Sequence, residues 1–146
     1  MNHTPPTKQA LPPLVVSQDN YKRIVDLAIF AEGRAPEVAD VLLAEMERAS
    51  VVSSNQLPSS AVQMGSTIEY HTDSGEKRRV TLVYPGEADI AQGKISILTP
   101  IGAALIGLSP NQSITWTARD GRPHQLTVLK VEPPQPVGAR LVAGHA

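Results

Sequence analysis

Residues 93–108 read Gly93-Lys-Ile-Ser-Ile-Leu-Thr-Pro-Ile-Gly-Ala-Ala-Leu-Ile-Gly-Leu108, a passage that changes period partway along. Ile95 and Ile97 share a parity, as alternate residues of a half-buried strand do. Thr99 then offers a hydroxyl for capping. Pro100 suits a first helical turn, where its fixed φ is already helical and its missing amide hydrogen is not needed. The passage therefore predicts a strand that stops near Leu98 and a short helix, Ile101 to about Leu108, able to cover a sheet face.

Working outward, the period stays at two. Ile68 and Tyr70 share a parity, as do Val80, Leu82 and Tyr84, and then Ile114 and Trp116, which reads as further half-buried strands. Asp73-Ser74-Gly75 and Asp120-Gly121 supply the residues of tight hairpin turns, so an antiparallel sheet is expected. In the last strand Leu126 and Val128 lie on one parity and Leu129 and Val131 on the other. That pattern calls for a bulge or for two covered faces.

Upstream the period lengthens. Ser17 and Asp19 can cap a helix whose stripe is Tyr21, Ile24, Leu27, Ala28 and Ala31. Gly33 permits a helix-ending conformation, and Pro36 opens a second helix to about Ala49, with a stripe of Val38, Val41, Leu42, Glu45 and Ala49. Helices of roughly 15 residues are about 22 Å long at ~1.5 Å per residue, which makes a stubby antiparallel hairpin. Ser53 to Ser60 carries no periodicity and reads as a linker, whereas Leu14-Val15-Val16 forms an edge strand or a packing anchor.

These boundaries divide the chain into a Pro-rich N-terminal tail with its apolar anchor (1–16), a helical hairpin (17–52), a linker (53–62), a sheet domain with one short helix (63–133) and a flexible C-terminal tail (134–146). The fold class is α+β. At 146 residues two large domains are excluded, and 41% hydrophobic with 18% charged residues is an ordinary globular composition.

Several function classes lose their basis. A formal net charge of -1 supplies no field to gather phosphates, so no direct nucleic-acid partner is expected. Without cysteine there is no disulfide, Cys-ligated metal or thiol nucleophile. No apolar run approaches the ~18 residues of a membrane helix. The N-terminal stretch lacks an apolar h-region and is broken by Pro5, Pro6, Pro12 and Pro13. No membrane partner and a cytoplasmic location follow as expectations.

The titratable residues form no motif. His3, His71, His124 and His145 are scattered without zinc-motif spacing, no Ser sits in a G-x-S-x-G elbow, and the glycines match no phosphate loop. No catalytic residue, metal or cofactor is assigned. Lys77-Arg78-Arg79 reads as a solvated strand end. Glu87 and Asp89 read as loop carboxylates that bond nearby amides, with cation binding or acid-base work as the alternative. Glu32, Glu37 and Asp40 surround the hairpin tip; there they either favour the first turn of the second helix through its dipole or coordinate a magnesium ion held by another protein.

Gly86-Glu-Ala-Asp89 followed by residues 93–108 resembles the C-terminal signature of Gre transcription factors. Met64-Gly-Ser-Thr-Ile68 and Leu82-Val-Tyr-Pro85 extend the match to roughly half the chain. With the short helical arm, the pattern is most similar to the Rnk family of Gre-related proteins, named as regulators of nucleoside diphosphate kinase. The resemblance implies an FKBP-like antiparallel sheet for residues 63–133 and a truncated coiled coil for the hairpin. Gre factors grip the rim of the RNA polymerase secondary channel and insert a long coiled coil whose acidic tip promotes transcript cleavage. Leu98, Thr99 and Pro100 match their polymerase-contacting loop, and Ile101 extends it. Gre factors can carry an acidic residue where Leu98 stands.

The arm is too short for the Gre reach, and Glu32, Glu37 and Asp40 are not the adjacent acidic pair of a Gre tip. The resemblance thus implies a non-enzymatic transcription regulator that occupies the channel and competes with Gre factors without stimulating cleavage. Nucleoside diphosphate kinase is a second partner implied by the family name. Two alternatives remain at this point: an FKBP-like prolyl isomerase, and a direct binder of the kinase.

Overall fold

The computed structural model describes residues 13–117 and 121–134. Most of the Pro-rich tail and of the C-terminal tail, together with His3, His145 and Asp120, lies outside the described residues.

The chain enters through β1 (Val15–Ser17) and turns directly into α1 (Gln18–Ala31). Ser17 ends the strand and caps the helix, its Oγ accepting from the Asn20 amide at 3.1 Å. Ile24, Ala28 and Ala31 are the buried face, with Tyr21 and Leu27 packed beside it. The amides of Arg34 and Ala35 both donate to the Ala31 carbonyl, at 2.9 and 2.8 Å, closing the turn. Gly33 is not in the left-handed region, so the expected glycine-dependent stop gives way to this carbonyl-centred turn.

Pro36 then begins α2 (Pro36–Arg48) in its first turn. Its buried residues are Ala39, Leu42, Glu45 and Met46. The predicted stripe is therefore rotated: Val41 stands 46% exposed, while Ala39 and Met46 take the inward face. Glu45 is tolerated there because its carboxylate accepts from the Arg48 guanidinium at 2.6 Å, and paired burial avoids the cost of an isolated charge.

After α2 a second strand, β2 (Ser50–Val52), runs parallel to β1 with Val16 opposite Val51. Three residues are too few to show a strand period in the sequence. The anchor Leu14 packs against Gly107, whose φ of +81° and lack of a side chain let Leu14 Cβ approach to within 2.9 Å of where a Cβ would stand.

The main sheet is five-stranded, in the order β5-β4-β3-β7-β6, from β3 (Thr67–Thr72), β4 (Lys77–Val83), β5 (Lys94–Ser96), β6 (Ser113–Thr117) and β7 (Pro123–Glu132). A short helix, α3 (Pro100–Leu105), follows β5. Gly75, at φ +86°, closes the turn between β3 and β4 as its sequence required. Glu69 pairs with Lys130 but Tyr70 with Val128, which leaves Leu129 as a bulge and switches the parity of β7.

The sheet is not wholly antiparallel, as had been predicted, because β4 and β5 run parallel with Leu82 opposite Ile95. A parallel neighbour needs a crossover instead of a hairpin. The chain supplies one through the 3-10 turns Pro85–Glu87 and Ile90–Gln92. One hydrophobic cluster joins hairpin and sheet: Ile24, Leu42 and Met46 share it with Ile68, Leu82 and Leu105. Among the described residues, no helix is long and apolar enough to cross a membrane.

Candidate functional site

The passage Leu98-Thr99-Pro100-Ile101 is a corner between β5 and α3, fixed from Ser96. The Ser96 carbonyl accepts from the Thr99 hydroxyl at 2.7 Å and from the Thr99 amide at 3.1 Å, while Ser96 Oγ accepts from the Leu98 amide at 2.9 Å. Thr99 Oγ1 in turn accepts from the Gly102 amide at 3.1 Å, capping α3. A Cβ on Gly102 would overlap the Ser96 carbonyl oxygen, so glycine lets the first turn of the helix close over the corner. Thr99 and Pro100 take the cap and first-turn places that the sequence assigned to them.

All four corner residues are half-buried, each with part of its side chain open to solvent. Two hollows flank them. One, of about 660 Å³, is lined by Tyr70, Ile90, Ile95, Pro100, Ile101 and Trp116. The other, of about 740 Å³, lies between the hairpin and the sheet and is lined by Arg34, Glu37, Val41, Leu98, Pro100 and Trp116. Pro100 and Trp116 belong to both, forming a ridge between them. Trp116 also stacks at a tilt on His124, with ring centres 5.3 Å apart.

Sequence reasoning missed Trp116 and Ile90 as parts of this surface. Trp116 was legible only as one alternating strand residue. Ile90 is 87% exposed on a 3-10 turn, and a bare isoleucine between Asp89 and Ala91 was a signal that could have been read.

The three tip carboxylates are divided. Glu32 and Asp40, eight positions apart in sequence, come together across the turn. Hydrogen bonding to Asp40, helped by desolvation and by Asp40's charge, holds the Glu32 carboxyl above its ordinary pKa. Glu37 lies instead in the first turn of α2 and lines the larger hollow. Beside them Ile29 and Phe30 are 60% and 68% exposed, and the Arg34 guanidinium lies 5.4 Å from the Phe30 ring centre.

Several other charged groups have structural partners. Asp89 Oδ1 accepts from the Ala91 amide at 3.1 Å, as a turn carboxylate does. Arg79 bridges Glu69 and Glu132, both at 2.9 Å, and Arg78 pairs with Glu76 at 3.1 Å. Arg78 and Arg79 of the basic run are therefore offset by acids on the sheet or in the adjoining turn. His124 lies 4.0 Å from Asp73. Among the described residues, no three His, Asp or Glu side chains are grouped to hold a metal ion.

Comparison with known proteins gives two family matches: "Transcription elongation factor, GreA/GreB, C-term" over residues 57–133 and "Rnk N-terminus" over residues 12–52. The chain is 38% identical over 96 residues to the regulator of nucleoside diphosphate kinase of Escherichia coli (strain K12), covering 65% of this chain and 71% of that protein. It is 41% identical over 78 residues to the transcription elongation factor GreA of Nitratidesulfovibrio vulgaris, spanning 53% of this chain and about half, 49%, of that factor. A solved GreA/GreB transcription elongation factor from Nitrosomonas europaea superposes with a TM-score of 0.66 at 33% identity, covering 82% of this chain and 98% of that one.

Proposed function

Because this chain belongs to the Rnk family, with its C-terminal half in the GreA/GreB C-terminal family, we propose that it is a cytoplasmic regulator that docks on RNA polymerase at the rim of the secondary channel. There it competes with Gre factors without stimulating transcript cleavage. Leu98, Thr99, Pro100 and Ile101 form the contact, with the Pro100 and Trp116 ridge as its apolar centre. In this reading the sheet domain is FKBP-like and the hairpin is a coiled coil cut short.

One observation supports the absence of a cleavage tool. Arg34 and Glu37, at the hairpin tip, line the same hollow as Leu98 and Pro100. A helix of 14 residues spans about 21 Å, and the tip stays beside the docking corner instead of reaching away from it. Glu32 is also engaged with Asp40 across the turn, an arrangement unlike the adjacent acidic pair of a Gre tip.

An effect on nucleoside diphosphate kinase comes from the printed name of the Escherichia coli relative and is compatible with action through transcription. The isomerase alternative gains nothing from the relatives, which are named as regulators and elongation factors. A pull-down with purified polymerase in one arm and purified nucleoside diphosphate kinase in the other tests the choice. Retention of polymerase alone is expected. Retention of the kinase alone would replace docking on polymerase with direct kinase binding.

A further inference from the structure

The two edges of the main sheet are treated differently. At one edge β5 is only three residues long. The outward groups of Lys94 are already used: Asp89 and Lys94 exchange amide-to-carbonyl bonds at 2.9 Å in each direction. A short edge that carries a lysine and is covered by its own loop is a guarded one. At the other edge β6 reads Ser113-Ile-Thr-Trp-Thr117, five uncharged residues without proline, and pairs on one side only, with β7. Among the described residues nothing pairs with its other side. The hairpin stands off from it across the hollow of about 740 Å³, where Val41 is 46% exposed.

The phase of that edge follows from its pairing with β7. The Val128 amide donates to the Gln112 carbonyl at 2.9 Å. Antiparallel bonding alternates along a strand, so Ile114 and Trp116 bond toward β7, whereas Ser113, Thr115 and Thr117 turn their amides and carbonyls outward. The 2.6 Å contact between the Ser113 and Thr127 hydroxyls agrees, since side chains approach most closely at non-hydrogen-bonded pairs.

We propose that β6 is a self-pairing edge: a second copy of this chain adds its own β6 antiparallel, about a two-fold axis through Thr115. The register is self-complementary. Ser113 meets Thr117 of the second copy, Thr115 meets its own counterpart, and all three outward residues fall into hydrogen-bonded pairs. Ile114 then lies beside the other copy's Trp116, a β-branched and aromatic pair of the kind that stabilises sheets. No charge opposes another. A guest strand of unrelated sequence would bond to the same amides but has no reason to be symmetric about Thr115. Five residues make a small contact beside the ~1,600 Å² of a standard interface, so the dimer is weak and forms at micromolar or higher concentration. This pairing does not depend on the polymerase reading.

Sedimentation of the full chain from micromolar to millimolar concentration tests it. A monomer-dimer equilibrium is expected, together with concentration-dependent slowing of hydrogen exchange at the Thr115 amide. Thr115 is exposed, so Thr115→Lys and Thr115→Glu leave the fold intact by circular dichroism. Each alone sets like charges face to face across the axis and weakens the dimer by about tenfold or more. An equal mixture of the two variants restores it. A monomer at all concentrations, a dimer that both variants leave unchanged, or a mixture that fails to recover would each overturn the proposal. If a variant unfolds, an unchanged exchange rate at Thr115 in the unmodified chain overturns it equally.

Discussion

The hydroxyl of Thr99 donates to the carbonyl oxygen of Ser96 at 2.7 Å, so the residue that caps α3 also ties the candidate docking corner to the end of β5. Replacing Thr99 by valine keeps the shape and removes both hydroxyl bonds. Loss of a cap costs about 1 kcal/mol, and urea unfolding should show a fall of that size. Thr99→Ser should restore most of it. Equal stability of the valine variant would mean that the hydroxyl does not hold the corner.

Gly102 gives a prediction opposite to its helix propensity. In an open helix, alanine would gain about 1 kcal/mol over glycine. Here a Cβ would overlap the Ser96 carbonyl oxygen and approach Thr99 Oγ1 to 3.0 Å and Ile97 Cα to 3.1 Å. Gly102→Ala is therefore expected to destabilise by roughly 1–3 kcal/mol, as overpacking does. A rise in the denaturation midpoint would show that the corner is looser than these contacts imply.

The hairpin tip should titrate visibly. Hydrogen bonding to Asp40 raises the Glu32 pKa. A carboxyl raised on folding binds more protons in the native state than in the unfolded one, so its contribution to stability is complete below the unfolded pKa. It is lost as pH rises through the folded pKa. NMR titration of the Glu32 carboxyl should give an elevated midpoint, and Asp40→Asn should remove the charge that contributes to it. Glu37→Gln should leave Glu32 unchanged. An ordinary midpoint for Glu32 in the unmodified protein would contradict the pairing.

A shared core makes hairpin and sheet one cooperative unit. Leu42, on α2, is fully buried in the cluster that contains Ile68 and Leu82. Leu42→Ala should cost about 2–5 kcal/mol. Helical circular dichroism and the fluorescence of Trp116, the single tryptophan, should shift together. Separate transitions for the two signals would show that the hairpin unfolds alone.

Local chemistry made much of this fold legible. Ser17, Pro36, Thr99 and Pro100 stand where helix ends need them, and the parity change at Leu129 announced the bulge in β7. What stayed hidden depends on partners distant in sequence. Ile95 alternates with Ile97 whether β5 runs parallel or antiparallel to β4. Ser50–Val52 is too short to show a period, and it forms a strand because β1 lies beside it. The inward turn of Ala39 and Met46 in place of Val41 is set by the two helices that α2 packs against, α1 and α3.

The candidate site was legible as a corner, not as a surface. Leu98–Ile101 could be named from spacing and resemblance, but Trp116 reaches Pro100 only through the sheet order that places β6 at the edge. The tip carboxylates likewise looked separate, and only the turn at Ala31 brings Glu32 to Asp40.

Gre-stimulated transcript cleavage by stalled RNA polymerase, followed while this protein is titrated in, bears most directly on the proposed competition. Cleavage should fall as the protein saturates the polymerase, the protein alone should release no cleavage product, and folded Pro100→Asp should compete far less well. Cleavage that persists unchanged at saturating protein, or that the protein itself stimulates, would contradict docking without a cleavage tool.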